Sequence, residues 1–327
     1  MKINRLICLL LCAILPGITG CSRNVEPISK SGMYFDTVIT ITVYGNEHYE
    51  LLDECFLLAN KYENLFSKTI ETSDVYKINH SNGKPTVVDD ETIYLLDKAL
   101  SYARISDGAI DPTILPLSDL WNFGENETVP DTEAIVSSLS NVGYENVIID
   151  KETNMVTLLN PNAGVDLGFI AKGYIADKMK EYLLSKGVKS ALINLGGNIL
   201  TIGSKPDGSS YVLGIQEPFS KGQSSIPNVS VKDKSLVTSG VYERCFYEND
   251  ILYHHILNTT TGYPIDNGLW GVTILSDSSM EGDAYSTMCL CLGLDEGMAL
   301  IEATEGMEAL FITEDMKLHY SSGFPRN

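Results

Sequence analysis

Near the C-terminal end, Gly282-Asp283-Ala284-Tyr285-Ser286-Thr287 sets one carboxylate close to two hydroxyls. On a helix, residues three and four positions from Asp283 share its face, so the oxygens of Asp283, Ser286 and Thr287 converge. A carboxylate with hydroxyls is the hard-oxygen set that suits magnesium or calcium, although the same residues also suit a solvated polar face. A second constellation is Gly164–Tyr182, which opens GVDLGFIAKG. It reads as a strand end, Val165-Asp166-Leu167, turning at Gly168 into a helix. Asp166 and Lys172 then flank a helix N-terminus, where free N–H groups and the dipole favour phosphates. A buried Asp–Lys pair joining strand to helix is the simpler alternative. Third, His254 and His255 end a short strand pattern. Neighbouring strand residues point to opposite faces, so only one imidazole faces a given cleft, either to move a proton or to pack.

These groups need elements to hold them. Phe35–Tyr44 alternates β-branched residues and predicts a strand. Glu47–Phe66 predicts an amphipathic helix with Leu51, Cys55, Leu58, Tyr62 and Leu65 on one face. A second helix spans Glu91–Arg104. Asp107–Gly124, DGAIDPTILPLSDLWNFG, mixes Gly and Pro with apolar residues and predicts either a ligand wall or a packed connector. After Gly168 the helix carries Ile175, Met179, Tyr182 and Leu183 inward, turns Asp177, Lys178, Lys180 and Glu181 outward, and stops near Gly187. Gly196-Gly197 between two apolar strands predicts a ligand contact or a bulge. Ser279–Leu292 predicts the helix that bears Asp283, with Ala284, Met288, Cys291 and Leu292 as its core stripe.

Of 327 residues, 20% are charged, 44% are hydrophobic, and the formal net charge is −20, a balance that argues against nucleic-acid partners. The same balance means that an anionic ligand binds only with local lysines, arginines or a metal ion. Seven cysteines lack CxxC or Cys/His spacing, so zinc and iron–sulfur sites have no support. The start looks like an export signal: Met1–Arg5 is basic, Leu6–Leu15 is apolar, and Ile18-Thr19-Gly20-Cys21 follows. Small residues before a cysteine resemble a bacterial lipobox. The expectation is a signal over 1–20, lipid on Cys21, a polar tether over 21–31 and one domain over 32–327. That address is extracytoplasmic, lipid-anchored to the bacterial cell membrane. An ordinary secretory signal is the alternative.

DGAIDPTILPLSDLWNFG, VDLGFIAKGYIAD, ALINLGGNILTIG with TSGVYERCF and YHHILNTTTGYP, and GDAYST occur in one order. Together, over Gly32 to Phe324, they resemble the ApbE family of flavin transferases (FAD:protein FMN transferases). The resemblance implies a mixed α+β fold, largely antiparallel sheets with packed helices. It implies FAD as substrate, bound by Ala109, Ile110, Asp111, Asp166, Lys172 and Ile256. Phe35 would join them where relatives often carry Met-Gly-Thr, and Thr69 stands where relatives often carry a flavin-stacking tyrosine. It implies magnesium (Mg2+) held by Asp283, Ser286, Thr287 and the main-chain oxygen of Phe169. The activity expected is transfer of FMN from FAD to a Ser/Thr hydroxyl of a partner protein, with AMP leaving and His255, or failing it His254, taking the hydroxyl proton. Asp283 would be the metal-bearing catalytic carboxylate, and Lys172 and Arg244 would offset the diphosphate charge. Acceptors of this kind are extracytoplasmic or membrane-bound flavoprotein subunits, such as those of Rnf-type or sodium-pumping quinone reductase complexes. The alternatives are FAD capture without turnover and FAD hydrolysis to FMN and AMP.

Overall fold

A computed structural model describes residues 26–45, 49–220 and 225–326. The expected signal, residues 21–25 of the tether and the lipid site Cys21 lie outside the described residues. The chain opens with a hairpin, β1 (Ile28–Tyr34) and β2 (Thr37–Val43), then α1 (Glu50–Phe66), α2 (Asp74–Asn79), β3 (Thr86–Val87) and α3 (Asp90–Ile105). Two short helices, α4 (Leu115–Trp121) and α5 (Thr132–Leu139), precede the hairpin β4 (Val147–Asp150) and β5 (Met155–Leu158). Helix α6 (Ala171–Ser185) leads into β6 (Ser190–Leu195), β7 (Asn198–Gly203), β8 (Tyr211–Gln216), β9 (Ser225–Val231) and β10 (Ser235–Gly240). The hairpin β11 (Cys245–Glu248) and β12 (Ile251–His254) follows, then β13 (Leu269–Ser276), α7 (Ser279–Leu292), α8 (Leu294–Glu302), β14 (Glu308–Thr313) and β15 (Leu318–Tyr320).

Eight of these strands form one sheet in the order β1-β2-β6-β7-β10-β13-β14-β15. Every neighbouring pair in it is antiparallel. Strand residues alternate faces, so each side of the sheet buries its own set. Ile39, Ile41, Val43, Ile193, Val272 and Ile274 meet the helical layer of α1, α6 and α7. On the reverse side, Leu236, Leu275, Leu310 and Ile312 pack under the β8–β9 ribbon through Tyr211, Leu213 and Val229. The mixed, largely antiparallel fold expected from the sequence is the one observed.

Several boundaries differ. Ile28–Ser31, expected in the tether, pair with β2 as the sheet's edge strand. Half of that strand is polar and solvent-facing, with hydroxyl pairs Ser29–Thr42 and Ser31–Thr40 across the hairpin. Its inward side is hard to read because Gly32 has no side chain. A Cβ there would come within 2.7 Å of Phe56 on α1. Phe35 and Asp36 are not in the following strand; with φ of 53° and 55° they form its turn, the left-handed pair a tight hairpin needs. The buried stripe of α1 is Leu52, Cys55, Phe56, Ala59, Tyr62 and Phe66, so Leu51, Leu58 and Leu65 sit at its margin. Trp121 is fully buried and donates Nε1–H to Gly262 O at 2.9 Å, which makes that end of the Gly/Pro segment a packed connector. Cys55, Cys245, Cys289 and Cys291 are all free. Among the described residues, no helix is long and apolar enough to cross a membrane.

The helical layer turns on one close crossing. Gly173 in the first turn of α6 lies against the start of α7, where a Cβ would come within 2.2 Å of Ser279 O and 2.7 Å of Met280 Cα. Asp177, one turn on, fastens the crossing. Its carboxylate accepts from Ser278 Oγ at 2.7 Å, Ser279 N at 2.8 Å and Met280 N at 3.0 Å. The two N–H donors are among the orphan groups that open α7, and the third donor is the hydroxyl of its N-cap serine. The side chain expected on a solvated face is therefore the clasp between two helices.

Alanine normally stabilises an exposed helix position relative to glycine by about 1 kcal/mol. At Gly173 the steric term reverses that sign. Gly173→Ala is expected to destabilise by about 1–3 kcal/mol through overpacking against backbone, read as a lower denaturant midpoint; a stabilised variant would refute the close crossing.

Candidate active site

Asp283 is 3% exposed on α7 and points at the N-terminus of α6. Its Oδ2 accepts the Gly173 N–H at 2.9 Å, and its Oδ1 lies 4.0 Å from Lys172 Nζ. The Gly173 N–H is thus spent on a carboxylate from another helix instead of on the Phe169 carbonyl one turn back. Lys172 Nζ also donates to Gly168 O at 3.1 Å. The polar face of α7 is not solvated, for Ser286 is fully buried against β10. Ser239 of that strand stands 2.8 Å from Ser286 Oγ and 3.0 Å from Thr287 Oγ1. Asp283, Ser286, Thr287, Lys172 and the turn bearing Phe169 therefore meet in one place.

Asp166 lies on the approach to α6, where its Oδ1 accepts the Gly168 N–H at 2.8 Å. Its Oδ2 pairs with Lys68 at 3.1 Å, and Lys68 reaches Asp119 of α4 at 3.0 Å. Burial alone would lower the Lys68 ammonium, but Asp166 and Asp119 together hold it above the usual lysine range. Lys68 thus ties the end of α1 to both segments expected to flank the nucleotide. The exposed Thr69 is its neighbour, with N–H donated to Ser67 Oγ at 3.1 Å. Phe35 donates its own N–H to Glu63 Oε1 at 2.7 Å, one turn before the Lys68 corner.

Asp111 is 6% exposed and its carboxylate organises its own loop. Oδ1 accepts from Thr113 N at 2.7 Å and Thr113 Oγ1 at 2.6 Å, while Oδ2 accepts from Tyr144 N at 2.8 Å. Burial pushes its carboxyl up, against those three donors. The side chain is committed inward, and Ile110 is likewise buried in the core, leaving Ala109 half-buried at the loop's surface. The loop is joined to the helix entrance by Asp166 N to Pro112 O at 2.8 Å, and to the turn that follows the histidine pair by Thr259 Oγ1 to Gly108 O at 2.7 Å.

His254 is buried, with Nε2 donating to Ile265 O at 3.0 Å. A carbonyl only accepts, so the proton sits on Nε2 and Nδ1 is the free lone pair. His255 is half-buried and its Nδ1 has no hydrogen-bond partner. Burial first, then the charges of Arg244, His254 and Lys172, bring His255 down to about 3. It is a neutral imidazole within the field of Lys172. Ile256 follows it, buried, its carbonyl accepting from Ile265 N at 3.0 Å.

Four positions that matter here escaped the sequence reading: Lys68, Gly173, Asp177 and Ser239. Gly173 left one signal, since a glycine inside a helical pattern has a cost that a close approach justifies. Among the described residues, no cluster of three His, Cys, Asp or Glu side chains could hold a metal. A cation here must draw on one carboxylate plus hydroxyl and carbonyl oxygens. Asp283 Oδ1, the hydroxyls of α7 and the Phe169 carbonyl are such a set, and it suits a hard divalent ion.

The chain also matches known proteins across nearly its whole length. The family model described as ApbE family matches residues 35–311. A Klebsiella pneumoniae (strain 342) protein named FAD:protein FMN transferase is 36% identical over 90% of this chain and 92% of its own. A Treponema pallidum (strain Nichols) protein of the same name is 33% identical over 98% and 93%. Among solved structures, the ApbE protein of Thermotoga maritima superposes with a TM-score of 0.85 at 31% identity, covering 92% of this chain and 100% of that one. The flavin transferase ApbE of Vibrio cholerae gives 0.82 at 29% identity, over 92% and 98%. The interlocked α6–α7 junction thus sits within a shared sequence and a shared architecture, and the chain belongs to the ApbE family.

Proposed function

We propose that this protein is an FAD:protein FMN transferase. The observation that carries the reading is the convergence of Lys172, the opening of α6 and the buried carboxylate of Asp283 at one helix crossing. A chain of net charge −20 has this as a place to receive a diphosphate. Phosphoryl transfer asks the protein mainly for positioning and charge neutralisation. Lys172, at the positive end of the α6 dipole, would face the diphosphate oxygens, with Arg244 near His255 as a further cation. Asp166, clamped by Lys68, and the surface of the Ala109–Asp111 loop would orient the nucleotide. Magnesium, held by Asp283 Oδ1, the hydroxyls of Ser286 and Thr287 and the Phe169 carbonyl, would neutralise charge on the diphosphate.

In the reaction proposed, the hydroxyl oxygen of an acceptor Ser or Thr attacks the FMN-side phosphorus. The bond from that phosphorus to the bridging oxygen breaks, and AMP leaves. His255, with an unpartnered Nδ1, is the base proposed for the hydroxyl proton; the bound diphosphate's negative charge would raise the basicity that burial and the neighbouring cations depress. The acceptor is proposed to be an extracytoplasmic or membrane-bound flavoprotein subunit, of the kind found in Rnf-type or sodium-pumping quinone reductase complexes. The enzyme itself is proposed to be anchored outside the cytoplasm through lipid on Cys21, on the strength of the leader sequence.

The test is to incubate the mature protein with FAD, Mg2+ and a candidate acceptor and weigh the acceptor. A gain of one FMN with AMP released supports transfer; FMN and AMP free in solution with an unchanged acceptor would support hydrolysis. Asp283→Asn keeps an oxygen for the Gly173 N–H while removing the charge. It is expected to lose at least a hundredfold in transfer rate with the fold intact by circular dichroism, and full activity would remove Asp283 from the chemistry. Lys68→Met should raise the KM for FAD several-fold with kcat little changed, since Lys68 acts through Asp166 on binding; a fall in kcat alone would contradict that role.

The histidine pair sets a pH dependence. Burial, the largest cause for each, depresses His255 from 6.5 to about 3 and His254 from 6.5 to about 4. Below about pH 6.5 the unfolded chain then binds more protons than the folded one, so these groups' stability is full above 6.5 and lost as pH falls toward the folded values. Tm is expected to fall between pH 6.5 and 4.5, and less steeply in His255→Gln. An identical slope in that variant would mean that His255 is not held neutral.

A further inference from the structure

Ser286 Oγ lies 2.9 Å from the main-chain oxygen of Asp283, 2.8 Å from Ser239 Oγ, and Ser239 Oγ lies 3.0 Å from Thr287 Oγ1. Proton counting fixes the direction of all three contacts. A carbonyl oxygen carries no proton, so Ser286 must donate its single one to Asp283 O. Ser286 can then only accept at the contact with Ser239, which commits the one proton of Ser239. Ser239 in turn can only accept from Thr287. The hydroxyl of Thr287 is left with its proton given to Ser239 and its lone pairs unused by these contacts.

We propose that Ser239 is a positioning residue that polarises Thr287 for a divalent cation by taking its proton in a one-way hydroxyl relay, Thr287 to Ser239 to Ser286 to the Asp283 carbonyl. The inference rests on the magnesium reading above and adds Ser239, which is not a ligand in it. A hydroxyl that gives a lone pair to a metal has its O–H bond polarised and needs an acceptor behind it. Partners of this kind commonly change metal affinity 10- to 100-fold. The relay also gives the pocket a sign. With Thr287 held as an acceptor, this wall receives a cation and repels an anion's oxygens. Burial keeps the relay intact, because Ser286 is fully enclosed and no water competes for its contacts.

The test is the affinity for Mn2+ alone, without FAD, measured by electron paramagnetic resonance on the full-length mature protein. Ser239→Ala is expected to weaken Mn2+ binding about tenfold, and Ser239→Thr, which keeps the hydroxyl, to restore most of it. Ser239→Cys fills the same space with a weak acceptor, so it should behave as Ser239→Ala even if the alanine variant folds poorly. Thr238→Ala is the control on the same strand, because its hydroxyl pairs with Thr273 Oγ1 at 2.8 Å on the opposite face; it should bind Mn2+ as the wild type does. Unchanged affinity in both Ser239→Ala and Ser239→Cys, or an equal loss in Thr238→Ala, overturns the relay. Asp283→Asn separates the two levels of the argument. If it leaves Mn2+ binding intact, the metal reading itself fails; if it abolishes binding while the Ser239 variants bind normally, only the relay fails.

Discussion

Two helix beginnings in contact set the geometry of the helical layer. The openings of α6 and α7 press together at Gly173 and Ser279, close enough that no side chain fits between them. Two helix N-termini side by side place positive dipole ends in register, which is unfavourable unless anions intervene. Asp177 and Asp283 are those anions. Each is carried by one helix and bonded to the opening N–H groups of the other. The exchange is reciprocal, and it fixes the angle and register of both helices at once.

From that arrangement follows an uneven electrostatic landscape. Asp177 is saturated by three donors and serves packing. Asp283 is bonded through one oxygen only, and its other oxygen shares an opening with Lys172. A half-satisfied carboxylate beside a lysine sets an oxygen donor next to a cation. A metal diphosphate has that same bipolar form. The wider molecule is acidic, so Lys172 beside this junction is a local positive charge set against the background field.

Much of the site was legible in the sequence because its parts are local. Asp283, Ser286 and Thr287 declare a common helical face by spacing, and Asp166 and Lys172 declare a helix entrance by the glycine turn between them. Antiparallel strands with packed helices follow from periodicity and family resemblance, whereas the joining of eight strands into one sheet shows only in the structure. What was not legible depends on partners distant in the chain. Asp177 reads as a solvent-facing residue of α6 until α7 arrives on top of it. Ser239 is an ordinary strand serine until Ser286 and Thr287 descend on it. Lys68 acquires meaning only when α4 and the approach to α6 bracket it. Ile28–Ser31 looked like linker because an edge strand needs apolar residues on one side only, and there a glycine holds one of the inward places.

The hydrogen bond between Gly173 and Asp283 spans 110 residues. A polypeptide threaded outward from its N-terminus therefore displays the lysine and the glycine turn well before the carboxylate that completes them. Until the last fifth of the chain has emerged and α7 has docked, there is no half-satisfied oxygen and no hydroxyl row. A polypeptide that stops short of α7 lacks the carboxylate and hydroxyls that complete this junction. The order of synthesis thus makes it one of the last parts of the helical layer to close.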